Sequence, residues 1–120
     1  MKFCWTTLRV KNLEESIKFY TDIIGLEVVN RFKTGTIEIA FLGVGETKIE
    51  LLCDGDSRDT VVSNDISWGF EVESLDEALA LAKEKGVNVD GDPIQPNPYI
   101  RFFIIKDPND MRIQLTENIG

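Results

Sequence analysis

A short pattern in the first half of the chain recurs in the second half, and this repetition constrains the fold more than any other feature. The segment VKNLEES at 10–16 matches VESLDEA at 72–78, and KIEL at 48–51 matches RIQL at 112–115. Capped helices after strands are common, but two matched closing strands at nearly the same offset indicate a duplication. A duplicated unit implies a pseudo-twofold axis, with a cleft between two sheets.

Each copy of the repeat predicts the order β-α-β-β-β. Asn12 with Glu15, and Ser74 with Glu77, have the spacing of an N-cap and N3 pair that opens a helix. The two helices are expected to end at Gly25 and Gly86. Strands are predicted from alternating or apolar sequence at 3–10, 26–32, 37–42, 47–53, 66–73, 87–89, 99–106 and 111–116.

The predicted fold class is α+β, with two βαβββ modules that form a curved mixed sheet around a cleft. The length of 120 residues fits one domain spanning 1–120, with modules at 1–54 and 66–117 joined by a polar loop at 55–65. Prolines at 93, 96 and 98 mark an irregular segment that cannot be a central strand.

The charge balance limits the partners. The net charge is −8 and no basic stripe is visible, so nucleic acid is not an expected partner. No apolar run reaches the roughly 20 residues that a membrane span needs, and no signal peptide is visible, so a cytoplasmic location is expected. An acidic surface would favour a cationic ligand if it faced the cleft, although solubility is the more ordinary explanation.

The chain contains no histidine, which excludes Ser-His-Asp and Cys-His nucleophile systems and every metal site that uses imidazole. Its two cysteines, Cys4 and Cys53, lie in apolar strand-like sequence and are predicted to be buried free thiols. Two cysteines make neither a disulfide framework nor a zinc site.

Three segments resemble the vicinal-oxygen-chelate superfamily, which includes glyoxalase I and the bleomycin-resistance proteins. The opening LRVKNLEESIKFY at 8–20, followed by IGL at 24–26, resembles the start of glyoxalase I. The segment KIEL at 48–51 resembles its second signature, and DPNDMRIQL at 107–115 resembles its closing signature. The resemblance covers nearly the whole chain and implies paired βαβββ modules.

The resemblance also identifies where metal-dependent members bind a divalent ion, usually through His, Glu, His and Glu. Those positions hold Trp5, Glu50, Ser67 and Gln114 in this chain. An indole N–H can only donate, and a hydroxyl and an amide are weak neutral ligands, so only Glu50 is a good one. We therefore expect neither a transition metal nor another cofactor.

Two further positions carry mixed implications about glutathione. Arg9 stands where glyoxalase I has an arginine that holds the glutathione carboxylate. Asp54 stands where that enzyme typically has an asparagine that contacts glutathione. An aspartate there would repel an anionic tripeptide, so glutathione is not the expected ligand.

Two candidate site residues have alternative interpretations. Glu50 could act as a general base or anchor a cationic ligand, or it could make an internal contact with Arg9 or Gln114. Trp5 could be a stacking surface for a flat ligand, or it could fill the space of the lost metal.

The leading functional hypothesis is a metal-independent small-molecule-binding protein that sequesters a drug or metabolite. Members of the bleomycin-resistance type are acidic homodimers of this kind, so a cationic or aromatic ligand and a homodimer are expected. The predicted ligand-binding set is Trp5, Arg9, Glu50, Asp54, Ser67 and Gln114. The alternatives are a glyoxalase-like lyase, an isomerase that uses Glu50 as its base, or a subunit that serves mainly in dimerisation.

Overall fold

A computed structural model describes all 120 residues. The elements follow one another along the chain as β1 (Trp5–Arg9), α1 (Leu13–Asp22), β2 (Val28–Thr34), β3 (Ile37–Leu42), β4 (Lys48–Asp54), β5 (Ser67–Glu71), α2 (Leu75–Glu84), β6 (Asn88–Asn97), β7 (Ile100–Lys106) and β8 (Arg112–Asn118). The predicted α+β class and the repeated β-α-β-β-β order are confirmed.

The chain divides into two compact units, Met1–Val61 and Val62–Gly120. Each unit is a four-stranded mixed sheet with one helix, and the strand orders are β1-β4-β3-β2 and β5-β8-β7-β6. In each unit the first strand pairs with the last in parallel, and the other pairs are antiparallel. The helix between the first two strands supplies the long connection that such a topology needs.

The strand registers repeat between the units as the sequence repeat does. Trp5 lies opposite Lys48 in the first unit, as Ser67 lies opposite Arg112 in the second. One step along, Thr7 lies opposite Glu50 as Gly69 lies opposite Gln114. The four positions named from the resemblance therefore occupy equivalent places in their own sheets.

Both helices begin as predicted. The Asn12 side chain accepts a hydrogen bond of 3.0 Å from the backbone N–H of Glu15, and Ser74 accepts one of 3.2 Å from Glu77. At the end of α2, Gly86 has φ +69° and its N–H and that of the next residue bond back to the last helical carbonyls. This is a Schellman ending, which favours glycine because the backbone is left-handed there.

Alternation along β4 separates the two faces of the first sheet. Ile49, Leu51 and Cys53 are buried, whereas Lys48, Glu50, Leu52 and Asp54 are only partly buried. Helix α1 packs on β3 and β4 and contributes Leu13, Phe19 and Tyr20 to the core. We call the face that carries Glu50, opposite α1, the far face of the first sheet.

Two details differ from the sequence-based expectations. Cys4 lies before β1, which begins at Trp5, and it is exposed, so its predicted burial is wrong; Cys53 is a buried free thiol as predicted. The strand predicted at 87–89 extends to Asn97 as β6, which is an edge strand with irregular pairing around its prolines. The prediction that this segment is not a central strand is confirmed, since only an edge tolerates the missing N–H groups.

Neither helix is both long and apolar enough to cross a membrane.

Candidate ligand-binding site

The parallel pairing of β1 with β4 gathers polar and aromatic side chains on the far face. Trp5, Thr7 and Arg9 alternate with residues that point to the helix, and they lie beside Lys48, Glu50 and Leu52 in register. Successive side chains on one face of a strand are about 7 Å apart. Four of the six predicted site residues, Trp5, Arg9, Glu50 and Asp54, thus lie on one sheet face.

Glu50 is held by a neighbouring hydroxyl. Thr7 Oγ1 donates a hydrogen bond of 2.6 Å to Glu50 Oε1 directly across the strand pair. A short bond of this kind to a carboxylate is charge-assisted and fixes one oxygen. The Glu50 carboxylate belongs to no ion pair. Thr7 was absent from the predicted site, although its position two residues from both Trp5 and Arg9 placed it on the same face.

An internal contact of Glu50 with Arg9, one of the alternatives from the sequence, does not form. Arg9 Nη2 instead donates a hydrogen bond of 3.0 Å to the Ser57 carbonyl and lies 4.0 Å from Asp54 Oδ2. The chain turns back after β4 and forms a bridge between Asp54 and Ser57, which presents that carbonyl to the guanidinium. The turn therefore draws Arg9 away from Glu50.

Asp54 closes the turn at the end of β4. Its Oδ1 accepts hydrogen bonds from the Asp56 backbone N–H at 3.0 Å and from Thr36 Oγ1 at 2.9 Å. The pKa of Asp54 is lowered, first by the bond from Asp56, then by that from Thr36, and also by the positive charge of Arg9. These contacts stabilise the charged carboxylate within the turn.

Three aromatic rings form a continuous surface on the far face. The centroids of Trp5 and Phe41 are 5.4 Å apart with the rings at 74°, and Phe41 stacks on Phe32 at 6.4 Å. Trp5 is 51% exposed and Phe32 is 44% exposed, so much of this aromatic area is accessible. Phe32 and Phe41 were not among the predicted site residues. Phe41 is the register partner of Glu50, and Phe32 is the register partner of Ile39, so both rings lie on the same face as Trp5.

The two remaining predicted residues lie together in the second unit. Gln114 Nε2 donates a hydrogen bond of 3.4 Å to Ser67 Oγ. Gly69 lies opposite Gln114, where the first unit has the hydroxyl of Thr7 opposite Glu50. With no hydroxyl at that place, the amide turns to the neighbouring serine.

The side chains at the four positions that the resemblance equates with metal ligands do not fit a tight transition-metal site. The indole of Trp5 can only donate a hydrogen bond. The amide nitrogen of Gln114 donates to Ser67, and one carboxylate oxygen of Glu50 accepts the hydrogen bond from Thr7. No group of three or more His, Cys, Asp or Glu side chains in the chain could hold a metal ion. Zinc and nickel sites need several imidazole, thiolate or carboxylate ligands.

Sequence comparisons relate almost the full chain to known proteins. A family model described as the Glyoxalase/Bleomycin resistance protein/Dioxygenase superfamily matches residues 2–115. Lactoylglutathione lyase of Neisseria meningitidis serogroup A is 29% identical over 98% of this chain and 91% of its own length. Lactoylglutathione lyase of Salmonella typhimurium is 25% identical over 98% of this chain and 93% of its length.

Solved structures show the same fold. The trypanothione-dependent glyoxalase I of Leishmania major superimposes with a TM-score of 0.85 at 23% identity, covering 98% of this chain and 86% of that one. A glyoxalase family protein from Bacillus cereus gives a TM-score of 0.84 at 22% identity, covering 100% and 95%. At this level of identity the likeness extends to the fold alone.

Proposed function

The chain belongs to the Glyoxalase/Bleomycin resistance protein/Dioxygenase superfamily, and from this premise we propose that it binds a small aromatic molecule without a metal ion. The ligand lies on the far face of the first sheet, against the rings of Trp5, Phe41 and Phe32. Sequestration of a drug or metabolite is the role that follows from binding without turnover.

One observation carries this proposal, which is the exposed aromatic surface beside a fixed carboxylate. Rings of this kind remove large apolar areas from water when a flat ligand stacks on them. Half of Trp5 remains accessible in the structure, so the ring is not consumed by packing within its own sheet. The surface adjoins Glu50, because Phe41 and Glu50 are register partners.

Glu50 gives the proposed site its preference for charge. Its carboxylate is oriented by Thr7 and belongs to no ion pair in the structure. A cationic group on the ligand would complement it with a charge-assisted hydrogen bond. Removal of the charge is expected to weaken a cationic ligand by at least about tenfold, since hydrogen bonds to charged groups contribute about 1.5–3 kcal/mol.

Titration calorimetry with a panel of planar aromatic cations, in the presence of a chelator, tests the proposal. Binding that Trp5→Leu and Glu50→Gln each weaken at least fivefold would support it. Glu84→Gln is the matched control, because Glu84 is an exposed carboxylate of helix α2 in the second unit. If no compound binds, or if binding occurs only after Ni²⁺ or Zn²⁺ is added, the proposal fails.

A second candidate function is catalysis by Glu50. Lactoylglutathione lyases are among the relatives, and the free oxygen of Glu50 could accept a proton from a carbon beside a carbonyl, as an isomerase base does. Turnover of methylglyoxal with a thiol, measured with and without added Ni²⁺ or Zn²⁺, tests the lyase. For an isomerase found by metabolite screening, Glu50→Gln should abolish turnover while ligand binding persists. Activity that survives Glu50→Gln excludes this role.

We infer in addition that the protein is cytoplasmic and, as the family resemblance implies, a homodimer. Analytical ultracentrifugation over a range of concentrations would reveal a dimer mass. A monomer at all concentrations would contradict the homodimer.

A further inference from the structure

A groove of about 490 Å³ opens at the end of the first sheet where β1 and β4 begin. Its lining includes two lysines, a carboxylate, a thiol and two aromatic rings, contributed by Lys2, Cys4, Trp5, Phe41, Glu46 and Lys48. We call it the lysine groove. Its volume is within the range of small-molecule sites, about 300–1,000 Å³.

We propose that the lysine groove binds a planar aromatic anion, with the ring against Trp5 and Phe41 and the anionic group between Lys2 and Lys48. The inference goes beyond the function proposed above and shares only the Trp5–Phe41 ring pair with it. The two sites would therefore differ in the sign of the ligand charge that they favour.

The charged side chains of the groove favour an anionic ligand. The chain has a net charge of −8, yet the groove is lined by Lys2, Lys48 and one carboxylate, Glu46. None of these three side chains belongs to an ion pair in the structure. The two lysines outnumber the single carboxylate, so the groove carries a local excess of positive charge on an acidic protein, and such an excess favours an anionic ligand.

The lysines sit on an ordered framework. The Lys48 backbone N–H donates to the Cys4 carbonyl at 3.0 Å, and Thr47 Oγ1 donates to the Phe3 carbonyl at 2.8 Å. These two bonds tie the segment that precedes β1 to the start of β4. Because Lys48 is also the register partner of Trp5, an ammonium and an indole are presented side by side.

The distance between Lys48 and Glu50 explains how one sheet face can favour an anionic ligand at one end and a cationic ligand at the other. Lys48 and Glu50 are successive far-face residues of β4 and so lie about 7 Å apart at their Cα atoms. Trp5 is level with Lys48, and Phe41 is level with Glu50, so the ring pair extends from one charged position to the other. An anionic group beside Lys48 and Lys2 is therefore at the Trp5 end of the pair.

The cysteines provide a reporter of groove occupancy. Cys4 is exposed and lines the groove, whereas Cys53 is buried in the core. Alkylation by neutral iodoacetamide, followed by peptide mass spectrometry, therefore reads the accessibility of Cys4 alone. A ligand in the groove slows this reaction, and a ligand confined to the Glu50 end does not.

The test uses three probes that share one ring system and differ in charge: naphthalene-2-sulfonate, naphthalene-2-carboxamide and 2-naphthylmethylammonium. The sulfonate is expected to bind about tenfold more tightly than the carboxamide, to weaken with added salt and to protect Cys4. Lys48→Gln and Lys2→Gln should each lower the sulfonate affinity about threefold. Lys33→Gln, on the opposite face of the same sheet, should leave it unchanged.

The outcomes separate this inference from the proposed function. A cationic probe that protects Cys4 at least as strongly as the sulfonate does, or a sulfonate affinity unchanged in the Lys2→Gln/Lys48→Gln double variant, overturns the anion site. Cation binding that depends on Glu50 but leaves Cys4 unprotected supports the proposed function alone. Sulfonate binding that protects Cys4 in a protein with no Glu50-dependent ligand supports the lysine groove alone.

Discussion

Thr7 and Glu50 face one another across the parallel pair of β1 and β4, and the threonine hydroxyl donates a hydrogen bond of 2.6 Å to the carboxylate. The equivalent pair in the second unit is Gly69 and Gln114, which has no such bond. The hydroxyl orients the one charged side chain among the four positions that the resemblance equates with metal ligands.

A double-mutant cycle measures this contact without any ligand. Thr7→Val, Glu50→Leu and the double variant should give a coupling free energy of about 0.5–1.5 kcal/mol, the usual net contribution of a protein hydrogen bond. The measurement is the free energy of unfolding in urea. Thr6→Val combined with Glu50→Leu is the control, since Thr6 is opposite Ile49 and points to the other face. Additive effects for Thr7 and Glu50 would show that the contact does not form in solution.

Two adjacent leucines of β4 test the assignment of the faces. Leu51 is completely buried, whereas Leu52 lies on the far face and is partly exposed. Leu51→Ala should therefore lower the free energy of unfolding by about 2–5 kcal/mol, because it removes packed methyl groups and leaves a cavity. Leu52→Ala should cost clearly less. Equal losses in urea denaturation would mean that the two faces are not distinguished by packing as the structure shows.

The lowered pKa of Asp54 predicts a stability contribution that depends on pH. Since the folded pKa lies below the ordinary value of 3.8, the charged carboxylate stabilises the fold above that pH, and the effect disappears as pH falls through the folded pKa. Asp54→Asn should thus be less stable than the parent at pH 7, with the gap closing below pH 3.8. Asp59→Asn, an exposed acid of the same loop, should show no such gap. A gap of constant size from pH 7 to pH 2.5 would contradict the assignment.

Two glycines should respond to alanine in opposite directions. Gly86 has φ +69°, where a side chain strains the backbone, so Gly86→Ala should destabilise the protein by about 1–2 kcal/mol. Gly69 lies in β5 without a positive φ and has no atom within 4 Å of an added Cβ. Gly69→Ala should be neutral or stabilise by about 0.5–1 kcal/mol. Thermal unfolding of both variants checks the pair, and a loss of stability for Gly69→Ala would show that the site is more crowded than described.

The fold could be predicted because several local signals agree with one another. The two capping pairs, the glycine that ends α2 and the repeated closing strands each indicate the same β-α-β-β-β order. The extent of the edge strand β6 was harder to predict. β6 continues through Pro93 and Pro96 because an edge strand does not need every N–H, which the proline spacing alone does not reveal.

The site was predicted only in part, for a related reason. Alternation places Trp5 and Glu50 on one face, but partner choice depends on strand register and on turns. Parallel pairing puts Thr7, not Arg9, opposite Glu50, and the turn after β4 offers the Ser57 carbonyl to Arg9. Register and loop geometry arise from long-range contacts that a motif does not encode.

Elemental analysis combined with native mass spectrometry most directly tests whether the binding site is independent of metal. The protein is purified without chelator, incubated with Ni²⁺ and Zn²⁺, desalted, and compared with Glu50→Gln. We predict no stoichiometric metal on either protein, and an affinity for the tightest panel compound that is the same with and without chelator. One Ni²⁺, Zn²⁺, iron or manganese ion per chain, lost in Glu50→Gln, would contradict the account.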